Sequence, residues 1–270
     1  MNRKNPPAKE KRPPVIIAVV GRKGGIGKTT TATNVGAELA SRGYQVLLVD
    51  LDLQGDATTA LTREDFTIST GDVLLAGQGL LDALVQTELP NLWLLPTEDE
   101  LKLLVKELIA RRPADFRFAL REVLAAEAGG FDFVLIDCPP SLDDIPLIGL
   151  CAATHYLTPA MPAYFSLKSL HKTAELTQAI QQEPGMNPSL KHLGTYFTDY
   201  NPKLRNNSNA AIVAAANKLF PGSVLHHVRQ DKQVRDAQRF AVPAQKAAPT
   251  SNAVVDFSQL TDQLLARINS

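Results

Sequence analysis

Short apolar runs alternate with amphipathic stretches along most of this chain. Residues 15–20, Val-Ile-Ile-Ala-Val-Val, form the first run, rich in β-branched side chains and closed by Gly21. A run this short and this apolar predicts a strand buried on both faces. Residues 30–42 read as a helix that stops at Gly43, a residue suited to a helix end. A second run, residues 46–50, follows and finishes on Asp50. Strand, helix and strand within about 35 residues make the βαβ unit of a parallel sheet.

The rhythm persists to the C-terminus. Strands are predicted over residues 92–96, 131–137, 154–159 and 192–198, and the run 131–137 again ends in a carboxylate, Asp137. Helices are predicted over residues 115–128 (stopped by Gly129-Gly130), 166–182, 207–218, 233–240 and 254–268. Neither an internal repeat nor an interior linker is visible. Residues 1–14 are rich in Pro, Lys and Arg without apolar periodicity and read as a flexible basic tail. The remainder, 15–270, reads as one α/β domain with a doubly wound, mostly parallel sheet flanked by helices. In such folds ligands bind beyond the carboxyl ends of the strands, where Asp50 and Asp137 fall.

Composition narrows the class. The 270 residues carry 28 Lys and Arg against 28 Asp and Glu, so no global field points to a nucleic-acid or membrane partner, and any basic surface is local. No apolar stretch approaches the roughly 18 residues of a membrane span, and the N-terminus lacks the apolar segment of a signal peptide. The two cysteines, Cys138 and Cys151, suit a reducing cytoplasm and read as small buried apolar residues. The five histidines show no metal-ligand spacing, and His226-His227 read as part of a strand end.

The chemistry concentrates between the first strand and the first helix, in Gly21-Arg-Lys-Gly-Gly-Ile-Gly-Lys-Thr-Thr30. Glycines let backbone N–H groups turn towards phosphate oxygens, a lysine meets the terminal phosphates, and a threonine hydroxyl ligates magnesium. The helix that follows favours an anion at its N-terminus. Gly24, Gly25, Ile26, Gly27, Lys28, Thr29 and Thr30 supply this cradle. The usual P-loop glycine six residues before the lysine is replaced by Arg22, and a second lysine, Lys23, precedes the glycine pair. Two acidic segments accompany the loop: Asp50-Leu-Asp-Leu-Gln-Gly-Asp-Ala-Thr58, and Phe131-Asp-Phe-Val-Leu-Ile-Asp-Cys-Pro-Pro-Ser141.

Residues 23–30 resemble the deviant Walker A motif of the ParA/MinD ATPases, a branch of the P-loop NTPases closest here to ParA/Soj-type partition ATPases. Residues 50–58 resemble the switch segment of ParA proteins, usually Asp-x-Asp-Pro-Gln-Gly-Asn, with Leu53 in place of proline and Asp56 in place of asparagine. Residues 131–141 resemble the Walker B segment. Looser likeness continues through 159–170, 198–202 (near the adenine pocket of the family) and 229–243, so the resemblance covers residues 15–268. It implies ATP and Mg²⁺ as ligands and a slow, partner-stimulated ATPase. Lys28 would bind phosphate, Thr29 and Asp137 would hold the metal with Asp50 nearby, and Asp52 would orient the attacking water. Lys23 would reach across an ATP-dependent sandwich homodimer to the partner's phosphates.

ParA relatives bind DNA nonspecifically as ATP dimers, whereas MinD relatives bind membranes through a basic amphipathic C-terminal helix. Here the last predicted helix has an apolar stripe (Phe257, Leu260, Leu264, Leu265 and Ile268) but a single arginine, which predicts packing on the core rather than on a membrane. Seven cations, Lys203, Arg205, Lys218, Arg229, Lys232, Arg235 and Arg239, face three carboxylates, Asp199, Asp231 and Asp236, over the later half. Lys203, Arg205, Arg229, Lys232, Arg235 and Arg239 are the candidate DNA contacts, since phosphate neutralisation drives nonspecific binding. The expectation is a cytoplasmic, nucleoid-associated partition ATPase working with a ParB-like adaptor. A positioning ATPase for a protein assembly, a MinD-like regulator and a nucleotide-bound scaffold stay open.

Overall fold

The computed structural model describes residues 12–141, 144–163, 165–201 and 208–270. The expected tail lies almost wholly outside them, as do Lys203 and Arg205. The strands are β1 (Val15–Val19), β2 (Val46–Asp50), β3 (Val85–Gln86), β4 (Leu92–Leu95), β5 (Phe133–Asp137), β6 (His155–Ala160) and β7 (Lys191–Phe197). The helices are α1 (Lys28–Ser41), α2 (Asp56–Leu61), α3 (Thr70–Ala76), α4 (Leu80–Ala83), α5 (Leu101–Arg111), α6 (Ala119–Glu127), α7 (Asp144–Ala152), α8 (Ser166–Gln182), α9 (Ser208–Leu219), α10 (Lys232–Arg239), α11 (Ala244–Ala247) and α12 (Asn252–Ile268).

The sheet runs β3-β4-β2-β5-β1-β6-β7, parallel throughout except for β3, which pairs antiparallel with β4. Alternation along each strand sorts its side chains onto two faces. Ile16, Ala18, Leu47, Val49, Leu95, Val134 and Ile136 pack with α3, α5, α6 and α7 on one side. Ile17, Val19, Val46, Leu48, Leu94, Phe133 and Leu135 pack with α1, α2, α10 and α12 on the other. Both faces are covered, which is why the strands read as continuous apolar runs.

The same parity places the acids. Asp50 and Asp137 are register partners at the ends of β2 and β5, and they continue the Val46, Leu48 and Phe133, Leu135 rows on the α1 face. In α12, Ser251 caps the N-terminus by accepting from the Val254 N–H, and Phe257, Leu260 and Leu264 are buried in the core that includes α1. Its one arginine, Arg267, donates to the carbonyls of Leu193 and Gly222. That face is therefore spent on the protein's own core, as expected. No described helix is long and apolar enough to cross a membrane.

Some predicted elements change form. The helix expected over 115–128 is divided: a 3₁₀ turn at Phe116–Phe118 buries Phe116, α6 follows, and Ala128–Gly130 closes as a second 3₁₀ turn. His226 and His227 do not end a strand. They lie between two isolated parallel bridges, Thr195 with Val224 and Tyr200 with Arg229, that run along the outer edge of β7. Both cysteines are buried and free, and burial pushes the Cys138 thiol up beyond reach of ordinary deprotonation. No metal-ligating cluster of His, Cys, Asp and Glu occurs among the described residues.

Candidate nucleotide site

The chain leaves β1 at its carboxyl end, turns through the glycine-rich loop and enters α1. Gly25 and Gly27 adopt left-handed backbone conformations, with φ of 70° and 88°, that side-chain-bearing residues rarely hold. A Cβ on Gly27 would also meet Thr198 Cγ2 at 3.0 Å. The loop is fastened from inside: Ile26 is buried, and its carbonyl accepts from the Thr198 hydroxyl at 3.0 Å, tying the loop to the end of β7. The N–H groups at the start of α1 lack acceptors within the helix, and Gly27 supplies no side-chain cap.

Beside the loop opens a cleft of about 430 Å³. One wall is Gly24, Gly25, Gly27, Lys28, Thr29 and Thr30; Asp52, Gln54, Asp56 and Pro140 close the second end. The third side is formed by Thr198, Asp199, Val228, Arg229 and the inner face of α10, with Phe257 of α12 behind it. The loop and the two acidic segments, remote in sequence, therefore meet at one cavity. Arg229 and Arg235, expected as DNA contacts, and Phe257, expected in the core, join it with Val228, Asp231, Val234 and Gln238. The segments at 198–202 and 229–243 hinted at that side through likeness and not through the chemistry of a nucleotide site.

Charge in the cleft is unbalanced. Lys28 is 6% exposed, and its Nζ donates to the Lys23 carbonyl at 3.3 Å, folding the side chain back over the loop. Burial pulls its pKa below the ordinary lysine range, opposed by the charges of Asp137 and Asp52. Asp137 is fully buried, and neither carboxylate oxygen has a hydrogen bond of ordinary geometry. Burial drives its pKa well up, the adjacent Asp50 adds to that, and the nearby Thr29 hydroxyl opposes it. A buried carboxylate without partners is costly, so this one marks a place for a cation.

Asp50 is also fully buried, and burial raises its pKa to about 7. Its oxygens, however, are engaged: Oδ1 accepts from the Asp52 N–H at 3.0 Å, and Oδ2 accepts from the Thr58 N–H at 2.8 Å and hydroxyl at 2.7 Å. Asp50 was expected near the metal, and here its oxygens accept these bonds. Its side chain is used to hang the Asp52–Thr58 segment from β2, and Asp137 is the strand-end acid with free acceptors. Asp52 itself is buried, accepting from the Gln54 N–H at 3.2 Å. Asp56, in the first turn of α2, is exposed to the cleft; burial and Asp52 raise its pKa while Lys28 lowers it.

Lys23 is exposed and outside the cleft, its Nζ 5.9 Å from the centre of the Phe165 ring. Of the candidate DNA contacts, Lys232, Arg235 and Arg239 are exposed at i, i+3 and i+7 along α10, opposite the buried Val234 and Ala237. Arg229 does not join that face. Its Nε and Nη2 each donate at 2.8 Å to the buried carboxylate of Asp256, so it is a structural ion pair at the cleft wall rather than a free surface cation.

A parallel sheet whose first strand feeds a glycine-rich loop and helix, with a partnerless acid at the end of a neighbouring strand, defines the P-loop nucleotide-binding class. The chain belongs to the AAA_31 family (AAA domain), whose model matches residues 15–192, within the ParA/MinD group of P-loop ATPases. It is 35% identical over 235 residues to the chromosome partitioning protein ParA of Caulobacter vibrioides, covering 84% of this chain and 85% of that one. Among solved structures it is similar to cobyrinic acid a,c-diamide synthase from Mycobacterium smegmatis with bound ADP and magnesium (30% identity, TM-score 0.78, 95% and 96% of the two chains). It is also similar to the septum site-determining protein MinD of Pyrococcus horikoshii complexed with Mg-ADP (27% identity, TM-score 0.76, 95% and 98%).

Proposed function

We propose that this protein is a ParA-type positioning ATPase that binds ATP with Mg²⁺, pairs with a second copy in the ATP state, binds DNA nonspecifically, and is released when a partner protein stimulates hydrolysis. One observation carries the nucleotide reading: Asp137, buried and without a hydrogen bond of ordinary geometry, beside the Thr29 hydroxyl and under a loop that holds a buried lysine. The name of the Caulobacter relative supports the partitioning role, and the two ADP- and magnesium-bound structures support the ligands.

The residues divide the work. Gly24 to Thr30 would wrap the phosphates with backbone N–H groups, and Lys28 would turn from the Lys23 carbonyl to the terminal phosphates. Thr29 and Asp137 would hold the metal, with Asp50 behind them positioning the acidic segment. The metal held there would supply charge neutralisation at the nucleotide's phosphates. Asp52 would orient water for attack. Lys23, exposed and not lining its own cleft, would enter the partner copy's, where a cation offsets charge that develops in the transition state. Lys232, Arg235 and Arg239 on α10 are the cations that support DNA binding in the described region.

The test is DNA binding by the full chain with ATP or ADP at two salt concentrations. Binding that is tighter with ATP and falls as salt rises is expected, with a log–log slope of roughly −0.9 per phosphate contacted. Affinity that is the same with either nucleotide would defeat the switch. Asp52→Ala is expected to retain nucleotide, lose hydrolysis and persist as the DNA-bound dimer; normal turnover in that variant would remove Asp52 from the mechanism.

A further inference from the structure

Arg63 lies outside the cleft, is exposed, and takes no part in the chemistry above. Its guanidinium nevertheless joins two helices. Nη1 donates to the Thr59 carbonyl at 2.7 Å, and Nη2 donates to the Arg239 carbonyl at 2.7 Å. Thr59 lies in the C-terminal half of α2 and Arg239 is the last residue of α10. The last carbonyls of a helix lack partners within it, and both helix ends carry partial negative charge. A planar, permanently charged fork suits two such acceptors at once, where an ammonium point charge does not.

Each clasped helix reaches the cleft by its other parts. α2 starts at Asp56, next to Gln54 and Asp52, and is anchored to β2 through Asp50 and Thr58. It is six residues long, about 9 Å, so its two ends lie close together. α10 presents Val234, Arg235 and Gln238 to the cleft, and Gln238 donates to the Thr30 hydroxyl at 3.3 Å. Ala57 and Leu61 of α2 share one core with Val234 and Ala237 of α10. The far end of α10 closes on Ala241, a non-glycine residue at φ 54°, a conformation that costs energy.

We propose that Arg63 is a positioning residue that links the phosphate end of the cleft to the C-terminal turn of α10. A terminal phosphate crowding Asp52 and Asp56 displaces the start of α2, and Arg63 carries that displacement to residues 232–242, where the cationic stripe lies. This inference rests on the nucleotide reading given above but not on DNA binding or dimerisation.

Hydrogen exchange on the full chain tests it, comparing Mg-ADP with Mg and a nonhydrolysable ATP analogue, with binding of each nucleotide measured on the same samples. In the unaltered protein, amides of residues 232–242 are expected to exchange at rates differing by about threefold or more between the two nucleotides. In Arg63→Ala that difference disappears while nucleotide affinity and basal hydrolysis stay within about threefold of the unaltered protein. Arg63→Lys, which keeps the charge but not the two-carbonyl fork, should behave like Arg63→Ala, and it serves as the second variant where alanine impairs folding. An undiminished difference in both variants, or no difference in the unaltered protein although both nucleotides bind, overturns the proposal. Failure of either nucleotide to bind the unaltered protein would instead overturn the nucleotide reading, and this inference with it.

Discussion

Asp137 and Lys28 illustrate how single residues trade stability for binding. A fully buried carboxylate without a hydrogen bond of ordinary geometry destabilises the ligand-free fold. Asp137→Asn is therefore expected to raise the unfolding temperature of the nucleotide-free protein and to weaken Mg-dependent nucleotide binding by about tenfold or more. A thermal scan and a nucleotide titration check the two directions; a variant that loses stability without nucleotide would contradict the assignment. Lys28→Ala removes the only buried cation lining the cleft among the described residues and should weaken ATP binding by about thirtyfold or more. Most of this was legible in the sequence, because an apolar run ending in Asp and a glycine-rich loop ending in Lys-Thr each carry their chemistry in local order. What was not legible is which of two strand-end acids is free. Asp50 and Asp137 look alike in sequence, and only the fold shows Thr58 returning to satisfy the first.

Elements were read well where a period of two or 3.6 is clean and poorly where it is not. α7, Asp144–Ala152, is apolar nearly all round and so gives no stripe to detect. In α5 the buried positions Leu101, Val105 and Leu108 are obscured by Leu103, which is 66% exposed. α2 is too short to show a period at all, yet it carries Asp56 to the cleft. The C-terminal end of α10 offers a direct check on element energetics. Ala241 occupies the left-handed position that glycine usually fills, with the Val242 N–H donating to Ala237 and the Ala241 N–H to Gln238. Ala241→Gly relieves the backbone cost and is expected to stabilise the fold by about 0.5–1 kcal/mol, net of the glycine's greater unfolded freedom. Denaturant titration reads this as a higher midpoint with an unchanged slope; a lower midpoint would refute it.

Across the whole molecule, stability depends on groups far from the cleft. His192 of β7 stacks on Tyr156 of β6, with ring centres 4.6 Å apart and an 18° angle, and burial lowers its pKa to about 4. The folded state thus holds His192 neutral at pH values where the unfolded chain, near 6.5, takes up a proton. The stabilisation is present above about pH 6.5 and is lost as pH falls towards about 4. The unfolding temperature should drop through that window, and His192→Phe, which keeps the stack, should make the drop shallower. An identical profile in the variant would show that other groups account for it. At the same scale, the double change Lys232→Ala with Arg239→Ala is expected to flatten the salt slope of DNA binding by about 2 without altering nucleotide affinity.

The stretch that runs beside β7, bridging at Val224 and Arg229, has a second consequence. Strands at the border of a sheet invite other chains to add on, and here the vulnerable border is shielded by the same few residues that bring Val228 and Arg229 to the cleft. Any truncation or proteolytic nick that frees this stretch would therefore strip the pocket of a wall and bare a sticky margin at once, so that inactivation and fibre-like self-association would arrive together.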